Sequence, residues 1–167
     1  MTYLRIRWWL NEFDGYVSFS GGKDSTVLLH IARQVSSDIP AVFVDTGLEY
    51  PEVREFALSQ DNVVRLKPEM NFRKVIETYG YPIISKEVAQ KIYEYRKNPN
   101  GYAKARFDDN SEHIKKYGKR YSMSKWTWLR DSNIPISHMC CNVMKKKPVK
   151  KIRKRNWTNT YYRNDGL

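Results

Sequence analysis

The stretch Ser20-Gly21-Gly22-Lys23-Asp24-Ser25 leaves few folds open to this chain. A β-prone run, Tyr16-Val17-Ser18-Phe19, comes directly before it, and Val27, Leu28, Ile31 and Val35 recur after it at helical spacing. Strand, glycine turn and helix therefore follow one another. Two glycines let the backbone approach a ligand closely and adopt angles that a Cβ disfavours. The first amides of the helix point out at the positive end of its dipole, where an anion binds. The hydroxyls of Ser20, Ser25 and Thr26 are expected as further donors and Lys23 as a cation, which makes phosphate the expected guest. A Walker A loop is excluded, because Val17 stands where its first glycine is required, and no G-x-G-x-x-G occurs.

The alternation continues downstream. Residues 4 to 13 carry Leu4, Ile6, Trp8, Trp9, Leu10 and Phe13 and read as an amphipathic helix packed on the sheet, with both tryptophans in a core or interface. Asp14-Gly15 turns the chain into the first strand. Ala41-Val42-Phe43-Val44 is unbroken and apolar, as a parallel strand covered on both faces requires. Pro51 suits the first turn of the next helix, Glu52 and Glu55 complement its dipole, and Phe56 and Leu58 are expected to bury it. Val63-Val64-Arg65-Leu66 reads as a third strand, and residues 71 to 79 as a helix closed by Gly80. Ser85 is the expected cap of a further helix carrying Val88, Ile92 and Tyr95. Residues 98 to 121 read as a loop-rich insertion, and Ser124 to Leu129 as a return to helix. This order predicts an α/β fold with a doubly wound, mostly parallel sheet and helices on both faces.

Asp45-Thr46-Gly47 ends the second strand at the sheet's carboxyl edge, where open α/β sheets bind ligands. Asp45 has two readings there: acceptor for ribose hydroxyls, or local cap. The net charge of +12 is uneven, since no acidic residue lies between Ser132 and Asn164 while Lys145, Lys146, Lys147, Lys150, Lys151, Arg153, Lys154 and Arg155 crowd together. Such a run is either a basic arm for nucleic acid or another polyanion, or a solvated face. Residues 1–150 are expected to form one domain, followed by a basic, divergent tail over 151–167. The only cysteines, Cys140 and Cys141, are adjacent, which suits a reducing compartment and not a disulfide framework. No stretch approaches the ~20 apolar residues of a membrane span, and the start lacks a signal peptide's features, so a cytoplasmic protein without a membrane partner is expected. His138, Cys140 and Cys141 are three donors of the kind zinc takes, but a structural site needs four. No metal site is assigned, and these three are the candidates.

Three segments taken together, SGGKDS at 20–25, DTGLEYPE at 45–52 and CCNVMKKKP at 140–148, resemble the phosphoadenosine phosphosulfate reductase family, within the PP-loop or adenine nucleotide alpha hydrolase-like superfamily. The resemblance covers most of residues 10 to 150. It implies a Rossmann-like fold and an adenine nucleotide as ligand: ATP, adenylyl sulfate or its 3′-phosphorylated form, with Mg as an accompanying ion. Ser20, Gly21, Gly22, Lys23, Asp24 and Ser25 would hold the phosphate or sulfate end, with Lys23, Asp24 and Ser25 as catalytic residues. Asp45, Thr46 and Gly47 would lie by the nucleoside, and Ser85, Lys86, Lys145, Lys146 and Lys147 would meet the anionic end.

The departures matter too. Family reductases use a nucleophilic cysteine near the carboxyl terminus and a thioredoxin-like or glutathione donor, yet no cysteine follows Cys141. The iron-sulfur branch adds a later Cys-x-x-Cys, which is missing, so a complete four-cysteine cluster is not expected. The chain reads as a shortened or divergent member. Three functions are compatible with it: reduction of a sulfonucleotide or chemistry at the α-phosphate of ATP; nucleic-acid sulfur modification, with the basic tail on the polymer; or nucleotide binding without turnover. Oligomerisation is left open.

Overall fold

The computed structural model describes residues 2–13 and 15–154. Met1, Asp14, where the sequence reading places a turn, and the tail from Arg155 lie outside the described residues, as do the side chains of Thr2, Arg153 and Lys154. The chain forms two compact units, one built from the residues up to Asn71 together with the segment from Val143, the other from Phe72–Asn142.

In the first unit α1 (Thr2–Glu12), β1 (Val17–Phe19), α2 (Lys23–Val35), β2 (Ala41–Val44), α3 (Pro51–Leu58) and β3 (Val63–Leu66) alternate as expected. The three strands form one parallel sheet in the order β1-β2-β3. Phe19 pairs with Phe43, and Val44 with Leu66. Successive side chains of a strand point to opposite faces, and Val42 and Phe43 are both almost completely buried, so β2 is covered on both sides. Leu29 and Ala32 from α2 and Ala57 from α3 join Val17, Phe19, Ala41 and Phe43 in the core, with Ile6 and Leu10 of α1 packed against it.

Several apolar side chains expected in the core or at an interface lie outside the core. Trp8 and Trp9 are 63% and 42% exposed, and Ile6 and Leu10 take the inward face of α1. One helical face spans about three residues in seven, so a helix with this many apolar side chains cannot bury them all. For the same reason α2 buries Leu29 and Ala32 while Val27 and Leu28 face outward, and α3 buries Ala57 more fully than Phe56.

The second unit contains α4 (Phe72–Tyr79), α5 (Lys86–Lys97), α6 (Glu112–Tyr117), α7 (Thr127–Asp131) and α8 (Met139–Cys141). The Gly80 amide donates to the Ile76 carbonyl and closes α4. The Ser85 hydroxyl accepts the Val88 amide at 3.2 Å and caps α5, a contact worth about 1 kcal/mol. The insertion is less loop-like than its composition suggests. It holds 3-10 turns at Tyr102–Arg106 and Lys119–Tyr121 on either side of α6, pieces too short to leave a periodic pattern. Phe107, Met123, Leu129 and Ile136 pack with Val88, Ala89 and Ile92 as this unit's core. The Arg96 guanidinium donates to the carbonyls of Leu129, Arg130, Ser132 and Ile134 at 2.6–2.8 Å, satisfying the end of α7. A π-helical stretch, Asn142–Lys146, precedes α9 (Lys147–Lys154), whose Ile152 returns to a buried position.

Candidate functional site

The hand-over from β1 to α2 is built from a closed circuit of small side chains. Gly21 has φ +74°, which turns the chain back over the end of the strand. A Cβ there would lie 2.9 Å from the Val53 carbonyl oxygen and 3.3 Å from Ala57 Cβ, so the loop is pressed against α3. The Ser25 hydroxyl donates to the Gly22 carbonyl at 2.9 Å, and the Thr26 hydroxyl donates to the same oxygen at 3.0 Å. With its proton committed, Ser25 Oγ accepts from the Ser20 hydroxyl at 3.0 Å and from the Ser20 amide at 3.3 Å. Ser20 Oγ in turn faces the Gly22 amide at 3.4 Å.

The hydroxyls expected as additional anion donors thus donate within the loop. The reason is local: Gly22 caps α2 in an extended conformation with no side-chain oxygen of its own, and its carbonyl collects the neighbouring protons. The amides of Lys23, Asp24 and Ser25 are left with no acceptor among the described residues. They open at the positive end of a helix of 13 residues. Lys23 and Asp24 are exposed.

The turn after β2 is tied differently. Asp45 is buried, its side chain 4% exposed, and ion-paired to Arg54 at 2.9 Å and to Arg65. Its other oxygen accepts the Gly47 amide at 3.2 Å. Burial raises the carboxyl's pKa, but the hydrogen bonds and charges of Arg54 and Arg65 outweigh burial and hold it below the ordinary aspartate value. Glu49 accepts from the Thr46 amide at 3.1 Å and from the Thr46 hydroxyl at 2.7 Å. Gly47, at φ +75°, has open space where a Cβ would stand.

Asp45, Thr46 and Gly47 line a cleft of about 490 Å³ with Arg54, Arg65 and Lys67; Ser20 to Ser25 do not line it. The expected crevice of 20–25 plus 45–47 is therefore two adjoining features at the carboxyl edge of one sheet. Arg54, Arg65 and Lys67 escaped the sequence reading. Arg65 carried a usable signal, being the lone charge in an otherwise apolar strand, which asks for a buried partner.

The remaining candidates are scattered. Ser85 serves as the cap of α5 and Lys86 is exposed at its start, both in the second unit. Lys145, Lys146 and Lys147 are exposed in the first. There Lys151 pairs with Glu69, and this hydrogen bond, with the charges of Lys151 and Lys147, lowers the Glu69 pKa. His138 stands edge-on to the Tyr93 ring at 5.5 Å, and its pKa is lowered chiefly by burial. Cys140 and Cys141 are free thiols of intermediate exposure. Among the described residues no three His, Cys, Asp or Glu side chains form a metal-holding group, so His138, Cys140 and Cys141 are not gathered into one. His30 faces Gln34 at 3.1 Å, and His113 meets the Tyr102 hydroxyl at 2.8 Å. No helix among the described residues is long and apolar enough to cross a membrane.

The chain is similar to several known proteins. It is 34% identical over 111 residues to an uncharacterised protein of Methanocaldococcus jannaschii, covering 64% of this chain and 24% of that one. It is 37% identical over 67 residues to a phosphoadenosine 5′-phosphosulfate reductase of Vibrio atlanticus, covering 38% and 26%. To the reductase of the same name from Alteromonas mediterranea it is 44% identical over 54 residues, covering 31% and 22%. The matched part of the chain thus spans about a quarter of the length of these relatives. The family model for the phosphoadenosine phosphosulfate reductase domain matches residues 15–161, which takes in both turns at the sheet's carboxyl edge and the Cys140-Cys141 segment, and the chain belongs to that family.

Proposed function

We propose that the first unit binds an adenine sulfonucleotide, with its phosphate-sulfate end on the amides of Lys23, Asp24 and Ser25, as the nucleotide-binding part of a sulfonucleotide reductase. The observation that carries this reading is the row of three unpartnered amides at the start of α2. Donors aimed at an oxyanion in fixed positions stabilise charge without reorganising, and Lys23 adds a cation at the same end. Asp45 acts here as a positioning residue: it fixes Arg54 and Arg65 and, through the Gly47 amide, the turn beside the nucleoside. The electrons of a reductive turnover come from a thioredoxin-like dithiol.

Titration calorimetry of the full chain with adenylyl sulfate, its 3′-phosphorylated form and ATP tests the binding. A sulfonucleotide is expected to bind, and Lys23→Ala to weaken it about tenfold, as for one lost charge-assisted contact. Release of sulfite from the bound sulfonucleotide in the presence of a dithiol tests the reaction. Binding of ATP alone would redirect the reading to chemistry at the α-phosphate. Absence of binding by all three would sink it.

A further inference from the structure

From Lys97 through Lys125, both included, the chain carries eight basic and three acidic residues, interleaved with Tyr102, His113, Tyr117 and Tyr121. The short helical pieces of the second unit gather these four rings. The Tyr102 hydroxyl meets His113 Nδ1 at 2.8 Å, with the rings edge to face at 5.3 Å. His113 lies 4.8 Å from Tyr117, and Tyr117 lies 6.2 Å from Tyr121. Cations stand over the faces: Lys116 at 5.3 Å from the Tyr117 ring, Arg120 at 4.8 Å from Tyr121 and Lys91 at 5.5 Å from Tyr102. These rings do not make the unit's core, which is the separate cluster around Ile92, Phe107 and Leu129. Tyr102 and Tyr117 remain 64% and 49% exposed.

The acidic side chains nearby are engaged. Asp109 accepts from Ser122, Asp108 accepts the Asn110 amide, and Glu112 pairs with Lys115. Lys104, Lys116 and Arg120 are exposed and have no carboxylate partner among the described residues. A solvated charged face needs no tyrosines, and a packed satellite core would not leave two of them half out. Lys91, over Tyr102, is paired with Glu94, but Lys104, Lys116 and Arg120 are free of carboxylates among the described residues, and exposed ring faces beside such cations are the recurring features of surfaces on which bases stack and phosphates lie.

We propose that this face binds single-stranded nucleic acid, with bases stacked on Tyr102 and Tyr117 and phosphates beside Lys104, Lys116 and Arg120. A duplex is the poorer fit, because its bases keep their faces inside the stack and the face offers only helices of six residues or fewer to a groove. This surface is distinct from the lysines of α9 and does not depend on the nucleotide reading of the first unit.

The test is fluorescence anisotropy of the full chain with labelled 12-nucleotide dT and U strands and a 12-base-pair duplex, at increasing salt. Single strands are expected to bind more tightly than the duplex, and a preference for either sugar is compatible with the proposal. Three phosphate contacts give a slope of log K against log salt of about −2. Tyr117→Leu should weaken binding about fivefold or more, while Tyr117→Phe, which keeps the stacking face, should not. The exposed pair Lys116→Gln with Arg120→Gln should flatten the slope by about 1.4, and carries the test if Tyr117→Leu fails to fold. Equal affinity for duplex and single strand would overturn the proposal. So would indifference to both ring and charge substitutions, or binding that disappears only when Lys150 and Lys151 are neutralised.

Discussion

Gly21 and Gly47 have nearly the same backbone angle, φ +74° and +75°, in opposite surroundings, and so separate two effects that usually come together. Giving either position an alanine side chain imposes the left-handed strain, about 1–2 kcal/mol, partly offset by about 0.4–1 kcal/mol from a less flexible unfolded chain. At Gly47 nothing lies within 4 Å of the new methyl group, so Gly47→Ala should cost only the net strain, up to about 1.6 kcal/mol. At Gly21 the methyl would sit 2.9 Å from both Val53 Cγ1 and the Val53 carbonyl oxygen. The side chain can rotate, but the carbonyl belongs to α3 and moves only with the helix. Overpacking of that kind adds about 1–3 kcal/mol. Urea unfolding followed by circular dichroism should therefore place the Gly21→Ala midpoint below that of Gly47→Ala by roughly 0.5–1.5 M, for a slope of about 2 kcal/mol per molar. Equal midpoints for the two variants would refute the claim that the loop is held against α3.

Two further outcomes follow from the arginine contacts, one an ion pair and the other a fan of hydrogen bonds to backbone carbonyls. Because the folded pKa of Asp45 lies below its unfolded value of about 3.9, its contribution to stability is fully present above that value and is lost as pH falls through the folded pKa. Asp45→Asn should cost about 1–3 kcal/mol at neutral pH, less than for a fully buried pair because both arginines reach solvent, and should flatten the acid limb of a stability-pH curve below pH 4; an unchanged acid limb would remove Asp45 from the account. Arg96→Met removes the guanidinium donors from the carbonyls of Arg130, Ser132 and Ile134, while the Leu129 carbonyl keeps the Ser132 hydroxyl and amide, and should destabilise the second unit by about 2–3 kcal/mol, with Arg96→Lys recovering only part of this because a single ammonium cannot span the fan. Full recovery by lysine, read in thermal unfolding, would contradict that geometry.

The strands were readable in advance because β2 is continuously apolar and its neighbours are nearly so, and the cap at Ser85 because a serine before a helical pattern has few other uses. Helix α4 was placed to within a residue by the glycine that follows it. The insertion was not readable, since pieces such as Glu112–Tyr117 complete fewer than two turns and show no period. Division into two units left no trace either: the chain enters α4 through Asn71 without a glycine- or serine-rich linker. At the site, the glycines announced the turn, but the direction of the Ser20, Ser25 and Thr26 protons was open, because a hydroxyl rotates toward whichever acceptor the backbone supplies. The pairing of Asp45 with Arg65 was hidden for another reason. It joins the residue just past the end of β2 to one on β3, and only the parallel register brings them together.

The ring of bonds among Ser20, Gly22 and Ser25 has a thermodynamic corollary. If this loop takes the proposed anion, a cradle that keeps its shape through its own hydroxyls does not have to be frozen by its guest, so little chain entropy is surrendered at the moment of capture. Alanine at Ser25 would leave every helical amide in place and still loosen the grip, showing up as a less favourable entropy of association and not as a missing contact.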